Sequence, residues 1–180
     1  MIRLFTAIPL PEQITPFLHA MGRSLPGAKA VPEDQIHVTL RFIGEVEGGL
    51  YHDIRESLAE VASEPFQLAI RGVGHFPPRG KPRVLWAGLE PVDQLIALKR
   101  RIDTTLIQCG LPPDSRKYTP HVTLARLSNT PLNRLTSFLA GNAFLEFDTI
   151  AVNCFNLYSS KLSPKGAIHS LEASYSLLVD

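Results

Sequence analysis

The sequence predicts a duplicated fold of mixed strands and helices, two lobes related by a pseudo-twofold axis within one domain spanning residues 1–180. Three observations predict it. The tetrapeptide His-Val-Thr-Leu occurs twice, at His37–Leu40 and His121–Leu124. Each copy occupies the same slot in a succession of strand, helix, strand, helix, strand. No low-complexity linker divides the chain, so the repeat units, approximately residues 1–80 and 81–180, share one folding unit. A chain of 180 residues can bury a core of that size. Its 44% apolar and 19% charged residues are those of a globular protein rather than a disordered one.

Ile2–Leu10 is an apolar run bounded by prolines and reads as the opening strand. Ile14, Phe17, Leu18, Met21 and Leu25 recur at helical spacing, with Thr15 as N-cap and Pro16 as first helical residue. Gly27 and Pro32 punctuate a loop. His37–Ile43 is strand-like and ends at Gly44. Leu50–Val61 follows as a helix and Phe66–Phe76 as a strand. The second half repeats the order: strand Val84–Leu89, helix Val92–Cys109 stopped by Gly110 and Pro112, strand His121–Leu127, short helix Leu132–Leu139 and one long strand Phe147–Tyr158. His169–Leu178 is a last strand.

The formal net charge is +1, so no global field draws the protein to a polyanion, and contact with nucleic acid needs a local basic patch. Cys109 and Cys154 are too few for a disulfide scaffold or a structural zinc site, and a reduced, cytoplasmic setting is expected. The N-terminus lacks the apolar core of a signal peptide, and no segment reaches the ~18 apolar residues that span a bilayer.

Residues i and i+2 of a strand share a face. His37 and Thr39 therefore project together, as do His121 and Thr123, while Val38, Leu40, Val122 and Leu124 anchor the opposite, apolar face. Two such pairs related by a twofold axis face each other across a groove. Two imidazoles, with a reference pKa of ~6.5, supply one general base and one general acid. Two threonine hydroxyls donate to non-bridging phosphoryl oxygens, and an arginine stabilises the charge that builds there. That set suits metal-independent, in-line displacement at phosphorus. Simple alternation puts Arg41 on the His/Thr face and Arg126 on the other, unless a bulge brings Arg126 round.

A lone histidine on a strand is commonly a hydrogen-bonded structural residue; it is the repetition in register that favours chemistry. His19, His52, His75 and His169 have no duplicate, and read as exposed helix positions (His19, His52) or loop and strand-end residues. The loop Pro77–Arg83, PPRGKPR, is a solvated connector or an RNA contact with equal weight. Tyr118, Phe76 and Phe42 suit base stacking, although aromatics beside strands usually belong to cores, as Trp86 is expected to.

The segments RLFTAIPLP, HVTLRFIGEV, PHVTLAR and FPP…PRVLWAGL resemble the two-histidine phosphoesterase superfamily, and within it the bacterial and archaeal RNA 2′,3′-cyclic phosphodiesterases, also called 2′-5′ RNA ligases. The likeness runs almost end to end. It implies a bilobal α+β fold, antiparallel sheets lining a central cleft with helices outside. It implies hydrolysis of a ribose 2′,3′-cyclic phosphate at an RNA 3′ end to a 2′-phosphate, without cofactor or metal, and reversible joining of ends through a 2′-5′ linkage. By match to the motifs, His37 and His121 are the acid–base pair, the resemblance leaning toward His37 as acid and His121 as base; Thr39 and Thr123 bind phosphate, and Arg126 fills the arginine position, whereas alternation favours Arg41. The expected protein is a cytoplasmic monomer with RNA as partner and no membrane. Two other classes compete: a non-catalytic RNA-end binder using the same cleft, and a metallohydrolase ligated by His37 and His121, for which no third protein ligand is evident in the sequence.

Overall fold

The computed structural model describes residues 1–178; the last two residues of the expected domain, 179–180, lie outside the described residues. Among the described residues, nine strands and four α-helices alternate: β1 Ile2–Pro9, α1 Thr15–Arg23, β2 Ala28–Ala30, β3 His37–Val46, α2 Gly48–Leu58, β4 Phe66–Phe76, β5 Val84–Glu90, α3 Asp93–Gln108, β6 Val122–Leu127, α4 Leu132–Gly141, β7 Ile150–Val152, β8 Cys154–Ser163 and β9 Gly166–Ser176, with a 3-10 turn at Glu33–Gln35. The pairings between these strands are antiparallel throughout.

The strands form one sheet in the order β7-β4-β5-β6-β3-β1-β8-β9, with β2 also pairing to β6. Set β1 beside β5, β3 beside β6 and β4 beside β8, and the inner six strands read the same from either end. The sheet curls into a half-barrel. Helices cover one face, α1 against β2 and β6 and α3 against β3 and α2, so each half's first helix packs on the other half's histidine strand. Leu18 of α1, Leu95, Leu98, Ile102 and Leu106 of α3, and the strand residues Val38, Leu40, Val122 and Leu124 meet in the core beneath the sheet. Gly22 lets α1 approach closely: a Cβ there would sit 2.3 Å from the Leu124 carbonyl oxygen.

Three expectations change. Thr15 is not the N-cap of α1; Ile14 holds that position, and Thr15 is a buried first-turn residue whose amide donates to the Pro11 carbonyl. The loop after Gly27 contains the short strand β2, held by pairing to Ala125–Leu127. The long strand Phe147–Tyr158 is two strands. Ile150–Val152 pairs with β4 and Cys154 onward pairs with β9 and then β1, so the chain changes partners at Asn153. Both cysteines are free. No described helix is long and apolar enough to cross a membrane.

Candidate active site

The two repeated tetrapeptides meet where β3 and β6 touch. The register between these strands is Val38 opposite Val122, the one such pair among the described residues. Both valines are fully buried on the helical side. Continued by one residue in each direction, this antiparallel register sets His37 opposite Thr123 and Thr39 opposite His121. All four side chains then project from the open face of the sheet, and all four are partly exposed.

Beyond each threonine the strand bulges. In β3, Ala7 pairs with Thr39 and Thr6 with Arg41, leaving Leu40 as the extra residue. In β6, Trp86 pairs with Thr123 and Leu85 with Ala125, leaving Leu124 extra. A bulge puts two consecutive side chains on the same side and so reverses the alternation that follows. Leu40 with Arg41, and Leu124 with Ala125, accordingly all lie buried, whereas Phe42 and Arg126 return to the open face.

Arg41 is therefore not on the His/Thr face, contrary to simple alternation. It is 6% exposed and turned toward α3. Its guanidinium donates to the Pro112 carbonyl at 2.7 Å and lies 3.5 Å from both Asp103 and Asp114. Lys99 pairs with Asp103 in the same cluster. Tyr118 extends it: burial and then Asp103 push its phenol far up, and its hydroxyl donates to the Thr39 carbonyl at 2.9 Å. The segment between α3 and His121 is thus fastened to the strand that carries the first motif. Arg126 stands on β6 opposite Val84 of β5 and Lys29 of β2, on the open face and exposed.

The two imidazoles are held alike and tuned differently. His121 Nδ1 lies 2.7 Å from the Thr119 carbonyl oxygen. A carbonyl only accepts, so this nitrogen carries the proton and Nε2 keeps its lone pair. Phe76 meets the His121 ring edge-on at 4.9 Å. Burial lowers the His121 pKa against the opposing Thr119 hydrogen bond. His37 packs on Phe5 at 5.2 Å, and its Nε2 lies 3.0 Å from Thr39 Oγ1. Burial, then the neighbouring charge of His169, and last that of His121 push His37 down to about 4, against a hydrogen bond with the Gln35 backbone.

His169, which sequence reasoning leaves as a strand-end residue, is part of this wall. It lies 5.8 Å from His37 and 4.8 Å from Phe5, with Tyr158 stacked on Phe5 at 5.2 Å. The long β8–β9 hairpin brings it there, and no local motif marks it. Trp86 is paired with Thr123 and its ring crosses Gly74, where a Cβ would come within 2.2 Å of the indole. His19, expected to be exposed, is half-buried, and its Nδ1 lies 2.8 Å from the Val31 carbonyl oxygen. Among the described residues no three His, Cys, Asp or Glu side chains come together as a metal-ligand group.

This pairing of two His-x-Thr motifs on adjacent strands can be set beside known proteins. The chain matches the family model of the 2′-5′ RNA ligase superfamily over residues 10–156. It belongs to that superfamily. Among its relatives in the superfamily is an RNA 2′,3′-cyclic phosphodiesterase of Archaeoglobus fulgidus, 32% identical over 174 residues, 93% of this chain and 96% of that one. Another of that name, from Thermus thermophilus, is 34% identical over 187 residues, covering 98% and 90% of the two chains. Of solved structures, a Thermus thermophilus protein has TM-score 0.77 at 29% identity, with 97% of each chain covered. Escherichia coli LigT in its apo form shares the superfamily fold at TM-score 0.79, 24% identity and 98% and 97% coverage.

Proposed function

We propose that this protein hydrolyses RNA 2′,3′-cyclic phosphate ends to 2′-phosphate ends without a metal, His37 and His121 exchanging protons with the substrate. The observation that carries this is the Val38–Val122 register, which sets each histidine across from the other motif's threonine. Relatives named RNA 2′,3′-cyclic phosphodiesterase over nearly the whole chain support the substrate. The palindromic strand order supports reading the chain as one two-lobed domain with an internal repeat at approximately 1–80 and 81–180.

The cyclic diester sits over the seam between β3 and β6. Thr39 and Thr123 donate to its non-bridging oxygens, and Arg126 offsets the charge that grows on them. Water adds to phosphorus opposite O3′. His121 Nε2, whose lone pair the Thr119 carbonyl keeps available, takes the water proton. The P–O3′ bond breaks, its electron pair leaves with O3′, and protonated His37 delivers a proton there. A 2′-phosphate and a free 3′-hydroxyl remain. With a 5′-hydroxyl in place of water, the same proton transfers make a 2′-5′ bond. Only RNA has the 2′-oxygen that closes the ring. The protein works as a cytoplasmic monomer in this scheme.

The test is a short oligoribonucleotide ending in 2′,3′-cyclic phosphate, with products resolved by mass and by position of the phosphate. The parent protein yields the 2′-phosphate in the presence of EDTA. His37→Ala and His121→Ala each lose ~10²–10⁴ in rate. Binding of the end without turnover would favour the RNA-end binder, and loss of activity on chelation the metallohydrolase.

A further inference from the structure

The basic loop PPRGKPR is not absorbed by the chemistry above, yet its position is tied to it. Phe76, whose ring meets His121 at 4.9 Å, is the last residue of β4, and the loop starts at the next residue. The Arg83 amide closes the hairpin on the Phe76 carbonyl at 2.7 Å, leaving Arg79 and Lys81 exposed at the tip. The Arg83 carbonyl accepts the Leu127 amide at 2.8 Å, so the base of the loop lies against the end of β6 that carries Arg126. Across β6, Arg126 stands opposite Lys29 on the same face. Lys29 Nζ in turn donates to the Lys165 carbonyl at 3.4 Å, in the β8–β9 turn that has curled round from the far edge of the sheet.

Arg79, Lys81, Arg83, Arg126, Lys29 and Lys165 therefore form a continuous rim on one side of the histidine pair. All six are exposed, and among the described residues none is in an ion pair. Elsewhere Arg3 is paired with Glu45 and Arg116 with Asp114. In a chain of net charge +1 this is a local concentration of unpaired cations. Three neighbouring strands at ~4.8 Å spacing give it a breadth of ~10 Å before the loop tip extends it, room for a short run of backbone phosphates.

We infer that this rim, from the Arg79–Lys81 loop tip through Arg126 to Lys29 and Lys165, binds the phosphate backbone of the RNA strand leading into the cyclic end. The inference rests on the proposed function, which brings an RNA end to the histidines and so obliges the upstream strand to leave the cleft on one side. The rim makes no base-specific contacts on this account; it supplies affinity and orientation, as phosphate contacts do. An oligonucleotide gains from it, and a cyclic mononucleotide does not.

The test compares cytidine 2′,3′-cyclic phosphate with a decaribonucleotide ending in the same group, for the parent protein, the double variant Arg79→Ala/Lys81→Ala, and a control with the same charge loss on the helical side, Arg100→Ala/Arg101→Ala. The expected result is a kcat/KM advantage for the decamer that falls with salt. In Arg79→Ala/Lys81→Ala the logarithmic salt slope is shallower by about 1.4, at ~0.7 for each phosphate no longer neutralised, with mononucleotide turnover unchanged. The control keeps the parent's slope. Fluorescence anisotropy with a decamer ending in 2′-phosphate reads the same interaction without turnover. If neither cyclic substrate is cleaved but the loop variant still weakens decamer binding, the proposed chemistry fails and the rim stands. Decamer affinity and salt slope equal in the parent and the loop variant, or lowered equally by the control, overturn the rim.

Discussion

His37 should make the protein acid-sensitive, and replacing it should remove most of that sensitivity. In the folded chain the ring lies between Phe5 and the cleft, with His169 at 5.8 Å, and its pKa is pushed down to about 4. In the unfolded chain it returns to the ordinary histidine value of 6.5. Between these values the unfolded state binds a proton that the folded state refuses, so stability is lost as pH falls below 6.5. At pH 5, about 1.5 units below the unfolded value, the loss is ~2 kcal/mol relative to about pH 7.5, from ~1.36 kcal/mol per unit. His37→Gln keeps a polar group of similar bulk and does not titrate. Urea unfolding of parent and variant at both pH values gives a double difference in which the shifts of His121 and His169, common to both proteins, largely cancel. The parent should lose ~2 kcal/mol more than the variant. Equal losses would show that His37 is not held neutral by the fold, and the electrostatic account of the site would fail with it.

Because the pKa values of both His37 and His121 are lowered, kcat/KM should follow a bell whose maximum lies below about pH 6.5. The kcat profile should peak higher, since the bound anion favours the protonated imidazole; a flat profile between about pH 4 and 8 would refute an acid–base pair. The two bulges predict opposite fates for the two arginines. Arg41→Ala leaves Asp103 and Asp114 to Lys99 and Arg116, but it empties a buried site and strips the Pro112 carbonyl of its donor, and should cost ~1–3 kcal/mol in urea unfolding. Arg126→Ala should change stability by less than ~0.5 kcal/mol while lowering kcat/KM by ~10²–10³. Gly22→Ala should destabilise by about 1–3 kcal/mol, because a Cβ 2.3 Å from the Leu124 oxygen forces α1 off β6, outweighing the ~1 kcal/mol helix preference for alanine; a stability equal to the parent's in urea would mean that helix and strand are not in contact there.

How much of this is legible in the chain depends on how local each cause is. The apolar anchors Val38, Leu40, Val122 and Leu124 follow from period-2 alternation, and all are at most 1% exposed. The bulges are invisible to that pattern because they depend on the register of the partner strands β1 and β5. Alternation therefore misplaces Arg41, whose partners Asp103 and Asp114 come from the distant α3 and the loop after it. Phe147–Tyr158 reads as one strand because no glycine or proline interrupts it; only the tertiary partners, β4 before Asn153 and β9 and β1 after it, reveal the break. β2 is three residues with no propensity signal and exists through pairing. His169 reaches the wall by the length of a hairpin, which no spacing rule detects.

Among the described residues, β3 and β6, the two strands that carry the histidine motifs, share a single backbone rung, Val38 to Val122. A multi-rung ladder would lock the distance across that joint; a lone rung leaves it to be set by the fit of side chains beneath, by α1 on β6, and by the phenol strut from Tyr118 to Thr39. The gap between the imidazoles is in that sense a packing dimension. Evolution or design can widen or narrow it by trading volumes on the hidden side of the sheet, retuning the chemistry without touching a residue that meets the substrate.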